Sequence, residues 1–160
     1  MTLRIGSGFD AHRFDSAATL FLAGAEWPGE PGLAGHSDGD AVLHAMVDAL
    51  LSAAQLGDIG HHFGTADPEM ANVSSSYFLS ETLEKLRAAQ WEVVNLSVQI
   101  IGERPKIAPR RVELEQALSA QVGAPVSLSA TTTDGMGFTG RGEGLAVIAT
   151  ALIRATGSAS

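Results

Sequence analysis

The chain has 160 residues, no cysteine, and 10 Lys and Arg against 18 Asp and Glu, which gives a net charge of −8. This length fits a single domain over residues 1–160, and the absence of cysteine excludes disulfides and thiolate metal sites. The negative charge argues against a duplex nucleic-acid partner, which needs a positive surface. The sequence has no signal peptide and no apolar run near the ~18 residues of a membrane span, so we expect a cytoplasmic protein without membrane association.

The first third of the chain reads as strands followed by one helix. Residues 3–9 and 19–24 have strand patterns, and the Pro- and Gly-rich stretch 27–35 predicts a long irregular connection. From Asp40 to Ala54 apolar residues recur at spacings of three and four, which predicts an amphipathic helix that stops before residue 57. Ser37 or Asp38 can cap this helix.

The remaining segments complete an α+β pattern. A polar loop over residues 58–73 precedes a predicted helix at 75–90, a strand at 91–101 and a helix at 109–122. Two more strands are predicted at 126–131 and 144–154, and residues 155–160 at the end read as a frayed tail. This order predicts a mixed β-sheet with helices on one face, of the ferredoxin-like sandwich type.

Histidines and aspartates near the N-terminus have the spacing of metal ligands. In a strand, Asp10 and His12 project to the same face, so both can bind one ion, and His44 lies on the first helix as a third ligand. Asp40 and Asp48 lie one turn before and after His44, where a carboxylate can orient a ligating imidazole. Three such ligands leave a tetrahedral position open for water or substrate.

The other histidines are harder to assign. A single histidine on a strand or helix is usually a structural residue, but His12 and His44 together with Asp10 favour a metal site. His61 and His62 are adjacent and point apart in most backbones, so we assign both to solvent.

Two polar segments follow predicted strands. Residues 130–144 combine hydroxyls and glycines with Asp134, which could hold Mg²⁺, and Arg141, which could pair with an anion. The spacing is not that of a Walker loop, and a glycine-rich connection with surface threonines explains the pattern equally well. Lys106, in the turn at residues 102–106, could meet a phosphate, although such exposed cations usually only contact solvent.

Taken together, these motifs resemble the 2-C-methyl-D-erythritol 2,4-cyclodiphosphate synthase family of the non-mevalonate isoprenoid pathway. The resemblance keeps the same order from residue 3 to residue 154. It rests on Gly-Ser-Gly-Phe-Asp-Ala-His-Arg-Phe from residue 6, Gly-His-Ser-Asp-Gly-Asp from residue 35, Gly-Asp-Ile-Gly from residue 57, and Ala-Thr-Thr-Thr through Gly-Phe-Thr-Gly-Arg-Gly-Glu-Gly over residues 130–144.

The resemblance implies a homotrimer whose active sites lie between neighbouring subunits. The implied enzyme is a phosphorus-oxygen lyase: the 2-phosphate of 4-diphosphocytidyl-2-C-methyl-D-erythritol 2-phosphate attacks the β-phosphorus, and CMP and the cyclic diphosphate form. The nucleophile is already ionised at neutral pH, so positioning and charge neutralisation should dominate catalysis. In the family, Arg141 and Glu143 lie near the trimer axis, where a central cavity can hold an isoprenoid diphosphate.

The resemblance also assigns roles to individual residues. Zn²⁺ or another divalent transition metal would bind Asp10, His12 and His44, and Mg²⁺ or Mn²⁺ would lie near Asp134. His36 and Thr132 would stabilise the transition state. The substrate contacts implied are Asp10, His12, His36, Ser37, Asp58, Ile59, Gly60, Phe63 and Asp67 on one side, and Gly102, Pro105, Lys106, Ile107, Ala108, Thr131, Thr132, Thr133, Asp134, Phe138 and Arg141 on the cytidine side.

The chain departs from the family pattern in these loops. Residues 64–67 read Gly-Thr-Ala-Asp where the family usually has Pro-Asp-Thr-Asp, Asp134 replaces a frequent Glu, and Gly102 replaces a frequent Ala. Two other functions fit the motifs: a zinc-dependent phosphoesterase that activates water at the open metal position, and a non-catalytic trimeric protein that carries isoprenoid diphosphates.

Overall fold

The computed structural model describes residues 1–64 and 68–157. Five strands form one sheet in the order β2-β1-β5-β3-β4. The strands are β1 (Leu3–Leu22), β2 (Ala25–Leu33), β3 (Trp91–Ile101), β4 (Val126–Thr131) and β5 (Gly144–Ala155). The helices are α1 (Ala41–Ala54), α2 (Ile59–Phe63), α3 (Ser75–Ala88), α4 (Arg111–Val122) and α5 (Gly137–Gly140), with 3-10 turns at Met70–Asn72 and Ala108–Arg110.

The sheet is mixed, as the sequence predicts. β1 pairs antiparallel with β2 and β5, and β3 pairs antiparallel with β5 but parallel with β4. The parallel pair needs a crossover connection, which α4 supplies. The chain order β-β-α-α-β-α-β-β of the main elements differs from the β-α-β-β-α-β order of ferredoxin-like domains, so that part of the prediction is wrong.

Helix α1 packs closely against the sheet because two glycines lie beneath it. A Cβ atom on Gly6 would lie only 2.2 Å from the carbonyl oxygen of Ala49. Eleven residues of α1 are buried, and its half-buried polar residues are His44 and Asp48. A helix that is apolar nearly all round belongs in a core, so these two side chains mark where α1 meets a polar site.

The opposite face of the sheet carries exposed apolar side chains. Ile5 is 71% exposed, Phe9 is 61% exposed and Ile148 is 42% exposed. Phe9 and Ile148 are direct partners in the β1–β5 ladder, so they lie side by side. Exposed apolar residues that share one face of a sheet mark an interaction surface. We call Ile5, Phe9 and Ile148 the open-face cluster.

The N-terminal hairpin corrects two predictions. β1 continues from Leu3 to Leu22 where the sequence predicts two separate strands, and β2 occupies most of the stretch 27–35 that the sequence assigns to an irregular connection. The register of the hairpin shifts between Asp15 and Thr19. Such bulges let the strand bend without ending, which hides the alternation in the sequence.

The other differences between the predicted and the observed elements lie at the ends of helices and strands. Asp40 caps α1 in place of Ser37 or Asp38, and α3 ends at Ala88 because Gln90 adopts a φ of 60°. The polar loop 58–73 contains α2 and a 3-10 turn, and α4 begins at Arg111 after the Ala108–Arg110 3-10 turn, where the sequence predicts a helix from Pro109. The predicted frayed tail starts too early, since Ala155 still belongs to β5 and the amide of Thr156 donates to the carbonyl of Gln90.

Within the described parts of the chain, no helix is long and apolar enough to cross a membrane.

Candidate metal centre and adjoining cavity

Three predicted metal ligands converge between β1 and α1. The carboxylate oxygen Oδ2 of Asp10 lies 2.7 Å from Nε2 of His12 and 3.1 Å from Nδ1 of His44. One ligand atom from each residue lies within 4.8 Å of the other two. Asp10 and His12 share a face of β1, as their spacing predicts, and the close packing of α1 brings in His44 from a position 34 residues away.

The second nitrogen of each imidazole is also bonded. Nδ1 of His12 lies 2.6 Å from the carbonyl oxygen of Ala34, an acceptor that fixes the proton on Nδ1 and leaves Nε2 free to bind a metal. Nε2 of His44 lies 2.9 Å from Oγ of Ser75, so its Nδ1 is the nitrogen that faces Asp10. Neither ring needs to turn for Nε2 of His12 and Nδ1 of His44 to be directed at Oδ2 of Asp10.

The carboxylates predicted to orient His44 have other partners. Asp40 is fully buried and accepts four backbone N–H groups, from Ala23, Gly24, Val42 and Leu43. Asp48 accepts the backbone N–H of Ile59 at 2.8 Å. The prediction that Asp40 and Asp48 orient His44 is therefore wrong, because each carboxylate satisfies buried or loop N–H groups instead.

The pKa values of Asp10 and His12 are shifted by their surroundings. Burial raises the pKa of Asp10, but hydrogen bonds and attraction from His12 and His44 outweigh it, so the net pKa lies below its ordinary value. The hydrogen bond to Asp10 raises the pKa of His12 against the opposing effect of burial. Two imidazoles with one carboxylate match the nitrogen and oxygen donors that Zn²⁺ and other divalent transition metals take.

A cavity of about 210 Å³ opens directly over this group. Helix α2 forms part of the cavity wall through Ile59, and Asp48 fixes the start of this helix by accepting the N–H of Ile59. Asp58 caps the same helix by accepting the N–H of His61 at 2.8 Å. A fourth ligand or a substrate could reach the ligands from this cavity. The lining residues are Asp10, His12, His36, Ser37, His44, Ile59, Gly60, Phe63, Gly64, Met70 and Phe78.

The histidines outside the ligand group differ from one another. His36 is exposed at the rim of the cavity, beside Ser37, whose hydroxyl donates to the carbonyl of Val73. His61 is exposed, as predicted, but His62 is half-buried and its Nε2 lies 2.5 Å from the carbonyl of Leu56. The assignment of His62 to solvent is therefore wrong.

The second predicted group of residues forms around the ends of β3 and β4. The amide of Gly102 donates to the carbonyl of Thr131, which joins the turn after β3 to the end of β4. Pro105 and Ile107 of this turn are buried, whereas Lys106 and Ala108 are exposed. The residues 102–108 and 131–134 therefore lie at one edge of the sheet, as parallel neighbouring strands require.

The loop after β4 is tied by its own side chains. Thr133 donates to the carbonyl of Met136 at 2.6 Å and contacts the hydroxyl of Thr139 at 2.9 Å, while Thr132 lies 3.5 Å from the carboxylate of Asp134. Phe138 and Arg141 are exposed, and Arg141 pairs with Glu143 at 3.2 Å. Across the described ranges, no residue of 102–108 or 131–141 lines the cavity over the metal ligands.

Sequence reasoning missed several residues of the site, and one predicted residue lies outside the described part of the chain. Asp67 falls in the stretch 65–67. Met70 and Phe78 line the cavity, and Ser75 contacts His44, although the sequence suggests only a helix start for that region. Apolar spacing in α3 indicates a core-facing stripe and does not show which of its residues reaches the site.

Fold and site together define an α+β protein with one mixed sheet and a candidate divalent-metal centre beside a cavity. The YgbB family model matches residues 3–154, and the chain belongs to the YgbB family. It is 61% identical over 151 residues to the bifunctional enzyme IspD/IspF of Clavibacter michiganensis subsp. michiganensis, an alignment that covers 94% of this chain and 37% of that protein.

Two further relatives match over nearly their whole length. The chain is 56% identical over 150 residues to the 2-C-methyl-D-erythritol 2,4-cyclodiphosphate synthase of Acidothermus cellulolyticus, with 94% of this chain and 93% of that protein covered. A solved structure of 2C-methyl-D-erythritol-2,4-cyclodiphosphate synthase in its CDP-bound form matches with a TM-score of 0.86 at 35% identity, covering 94% of this chain and 100% of that one.

Proposed function

We propose that this protein converts 4-diphosphocytidyl-2-C-methyl-D-erythritol 2-phosphate to 2-C-methyl-D-erythritol 2,4-cyclodiphosphate and CMP, as a step of isoprenoid biosynthesis. The observation that carries the proposal is the Asp10, His12 and His44 group at the floor of a cavity, in a chain of the YgbB family. Relatives at 51% to 56% identity are named for this synthase.

The ligand residues fit a divalent ion, which we propose to be Zn²⁺ or another transition metal. Such an ion would polarise a phosphoryl oxygen and neutralise charge that develops during the transfer. Asp10, with its pKa held low, supplies the negative charge of the ligand set, and the carbonyl of Ala34 keeps His12 in the tautomer that leaves Nε2 free for the ion.

The remaining side chains of the cavity would position the substrate. His36 at the rim can donate a hydrogen bond to a phosphate oxygen, which stabilises charge in the transition state. Ser37, Ile59, Gly60 and Phe63 of the cavity wall are proposed to hold the methylerythritol and ribose groups, together with Asp58, which caps α2, and Asp67, which lies outside the described residues.

We propose a homotrimer in which each cavity is completed by a neighbouring subunit. The proposed cytidine residues, 102–108 and 131–134, lie together at one sheet edge but do not line the cavity of their own chain, which supports a site shared between copies. The open-face cluster supplies an apolar surface for the assembly. A heterologous interface gives a closed ring when the rotation between neighbouring subunits closes, as a threefold rotation does.

The cytidine half of the proposed site includes Thr132, which would donate to phosphate oxygens, and Asp134, which would hold Mg²⁺ or Mn²⁺ to neutralise charge on the substrate's diphosphate as CMP leaves. Phe138 and Arg141 would complete this half. Arg141 is exposed and pairs only loosely with Glu143, so an isoprenoid diphosphate in a central cavity could compete for it.

Product analysis tests the reaction. The protein is incubated with the cytidyl substrate and Zn²⁺ and Mg²⁺, and the products are separated by chromatography and ³¹P NMR. We expect CMP and the cyclic diphosphate in equal amounts; release of inorganic phosphate would instead identify a phosphoesterase.

A substitution separates catalysis from simple carriage of a diphosphate. His44→Ala should abolish product formation while the mass in solution stays that of the wild type. If His44→Ala prevents assembly, the metal has a structural role, and if wild-type protein binds the substrate but never turns it over, the protein is a carrier.

A further inference from the structure

A buried serine connects His44 to a carboxylate that does not belong to the metal ligands. Oγ of Ser75 lies 2.9 Å from Nε2 of His44, and the same hydroxyl donates to Oδ1 of Asp38. The backbone N–H of Ser75 donates to Oδ2 of Asp38 at 3.0 Å. Ser75 is 0% exposed, so its hydroxyl is bonded within the protein and not to solvent.

The protons that His44 and Ser75 carry determine which atom donates in each of these hydrogen bonds. Nδ1 of His44 faces Asp10, so an ion at the ligand group takes the lone pair of Nδ1 and the proton must lie on Nε2. That N–H can only donate, and its partner is the hydroxyl of Ser75. The hydroxyl has one proton of its own, which goes to Asp38, an acceptor when ionised.

We propose that Ser75 and Asp38 are positioning residues that hold His44 as the Nε2–H tautomer, with Nδ1 directed at the bound metal ion. The inference rests on the proposed metal site and deepens it. Outer partners of metal-ligating histidines fix ring orientation and raise ligand basicity, and their loss typically weakens metal binding about 10- to 100-fold. Here the carboxylate acts through a serine hydroxyl.

The surrounding contacts make this pair the orienting group for His44. Asp38 is itself held in place, since its Oδ1 also accepts the backbone N–H of Asp40 at 3.1 Å. Ser37 next to it donates to the carbonyl of Val73, so two neighbouring residues of the loop before α1 bind the segment that leads into α3. The position of α3 against the site is thereby linked to the orientation of a metal ligand.

A direct measurement of metal affinity tests the role of the hydroxyl. The full-length wild-type chain, Ser75→Ala and Asp38→Asn are titrated with Zn²⁺ in competition with a chromophoric chelator, without substrate. Ser76→Ala is the matched control, because its hydroxyl contacts Gln121 at 2.9 Å on α4 and not the site. We expect affinity to fall about 10- to 100-fold in Ser75→Ala and to fall in Asp38→Asn, with less than about a twofold change in Ser76→Ala.

Two further readouts separate positioning from a general loss of structure. In a His44→Ala background, Ser75→Ala should cause no additional loss of Zn²⁺ affinity, because its effect passes through that imidazole. ¹⁵N NMR of the Zn²⁺-bound wild type should show His44 protonated on Nε2, and Ser75→Ala should broaden or shift that signal.

The outcomes distinguish this inference from the proposed function. Wild-type affinity in Ser75→Ala, or an equal loss with and without His44, overturns the positioning role while leaving the proposed metal site intact. Absence of Zn²⁺ binding in the wild type overturns the metal site itself. If Ser75→Ala does not fold, Asp38→Asn decides, and its wild-type affinity overturns the inference.

Discussion

Gly8 of β1 lies directly against the backbone of Ala45 in α1, so that a Cβ atom on Gly8 would be 2.0 Å from the carbonyl oxygen of Ala45. Asp10 follows two residues after Gly8, and His44 immediately precedes Ala45. The separation between strand and helix at this point therefore sets the distance between two of the candidate metal ligands, Asp10 and His44. Only glycine permits this approach, because backbone atoms cannot move aside as a flexible side chain can.

Gly8→Ala should therefore damage stability and metal binding together. We expect a loss of about 1–3 kcal/mol or more in the free energy of unfolding, because α1 must shift away from β1. Zn²⁺ affinity should fall at least about tenfold as His44 moves from Asp10. Urea denaturation and metal titration check both effects.

Gly157→Ala is the control for this substitution. The nearest atom to a Cβ on Gly157 is the side-chain oxygen of Gln90 at 3.4 Å, and its backbone needs no left-handed φ. Both quantities should stay at wild-type values. Unchanged metal affinity in Gly8→Ala would mean that α1 can move without opening the ligand group.

The sequence predicts the grouping of Asp10, His12 and His44 because the signals for it are local. Asp10 and His12 are related by strand periodicity, and His44 lies on a helix with a strong apolar repeat. Strands β3 and β4 also begin and end where alternation predicts. Local patterns of this kind need no knowledge of the tertiary fold.

The contacts that depend on tertiary packing could not be predicted. Ser75 contacts His44, 31 positions away in the sequence, only because α3 packs on α1. Asp40 accepts the N–H groups of Ala23 and Gly24 only because the turn between β1 and β2 lies beside the start of α1. Strand β2 was missed because its prolines and glycines usually mark loops, while an edge strand tolerates them.

Metal binding should weaken as the pH falls. The hydrogen bond to Asp10 raises the pKa of His12 above its ordinary 6.5, and a bound ion needs the neutral imidazole, so protons compete with the metal up to that raised pKa. Below it, Zn²⁺ affinity should fall about tenfold per pH unit for each displaced proton. Asp10, with a lowered pKa, stays ionised across this range.

In the metal-free protein, the contribution of His12 to the free energy of unfolding should instead decrease as the pH rises. Because the folded-state pKa of His12 is raised, its contribution to stability is complete below about 6.5 and is lost as the pH rises through the folded-state value. Chelator competition and urea denaturation across this pH range measure the two trends. His61→Ala removes an exposed histidine and should leave both profiles unchanged; a metal affinity independent of pH would contradict His12 as a ligand.

Asp40 should be a structural residue without a direct role at the metal. Asp40→Ala leaves four backbone N–H groups without their acceptor, which should cost about 2–4 kcal/mol in unfolding free energy. Burial raises the pKa of Asp40 to about 6, so the folded state binds this proton more tightly than the unfolded chain. The stabilisation from Asp40 should thus be larger at about pH 5 than at about pH 7.5.

Urea denaturation of both proteins at the two pH values measures this difference. Ser74→Ala is the comparison, since Ser74 caps α3 through a single bond to the N–H of Tyr77 at 3.3 Å and is exposed. It should cost about 0.5–1 kcal/mol with no pH dependence. If the loss of unfolding free energy in Asp40→Ala is larger at the higher pH, the folded protein stabilises the ionised carboxylate instead.

The open-face cluster should hold the proposed trimer together. Phe9→Glu places a charge beside Ile148, its ladder partner, on a surface that would be buried between subunits, and an unpaired buried charge is strongly unfavourable. We expect the mass in solution to fall from that of a trimer to that of a monomer, and activity to fall with it because each site loses its neighbouring half. Analytical ultracentrifugation and product release measure the two effects.

Val112→Glu is the matched control, because Val112 is 65% exposed on α4, away from the open face. It introduces the same charge at similar exposure and should preserve both mass and activity. A trimer that persists in Phe9→Glu would place the subunit interface elsewhere. A monomer with full activity would mean that one chain contains the whole site, since residues 102–108 and 131–134 would then have to reach the cavity of their own subunit.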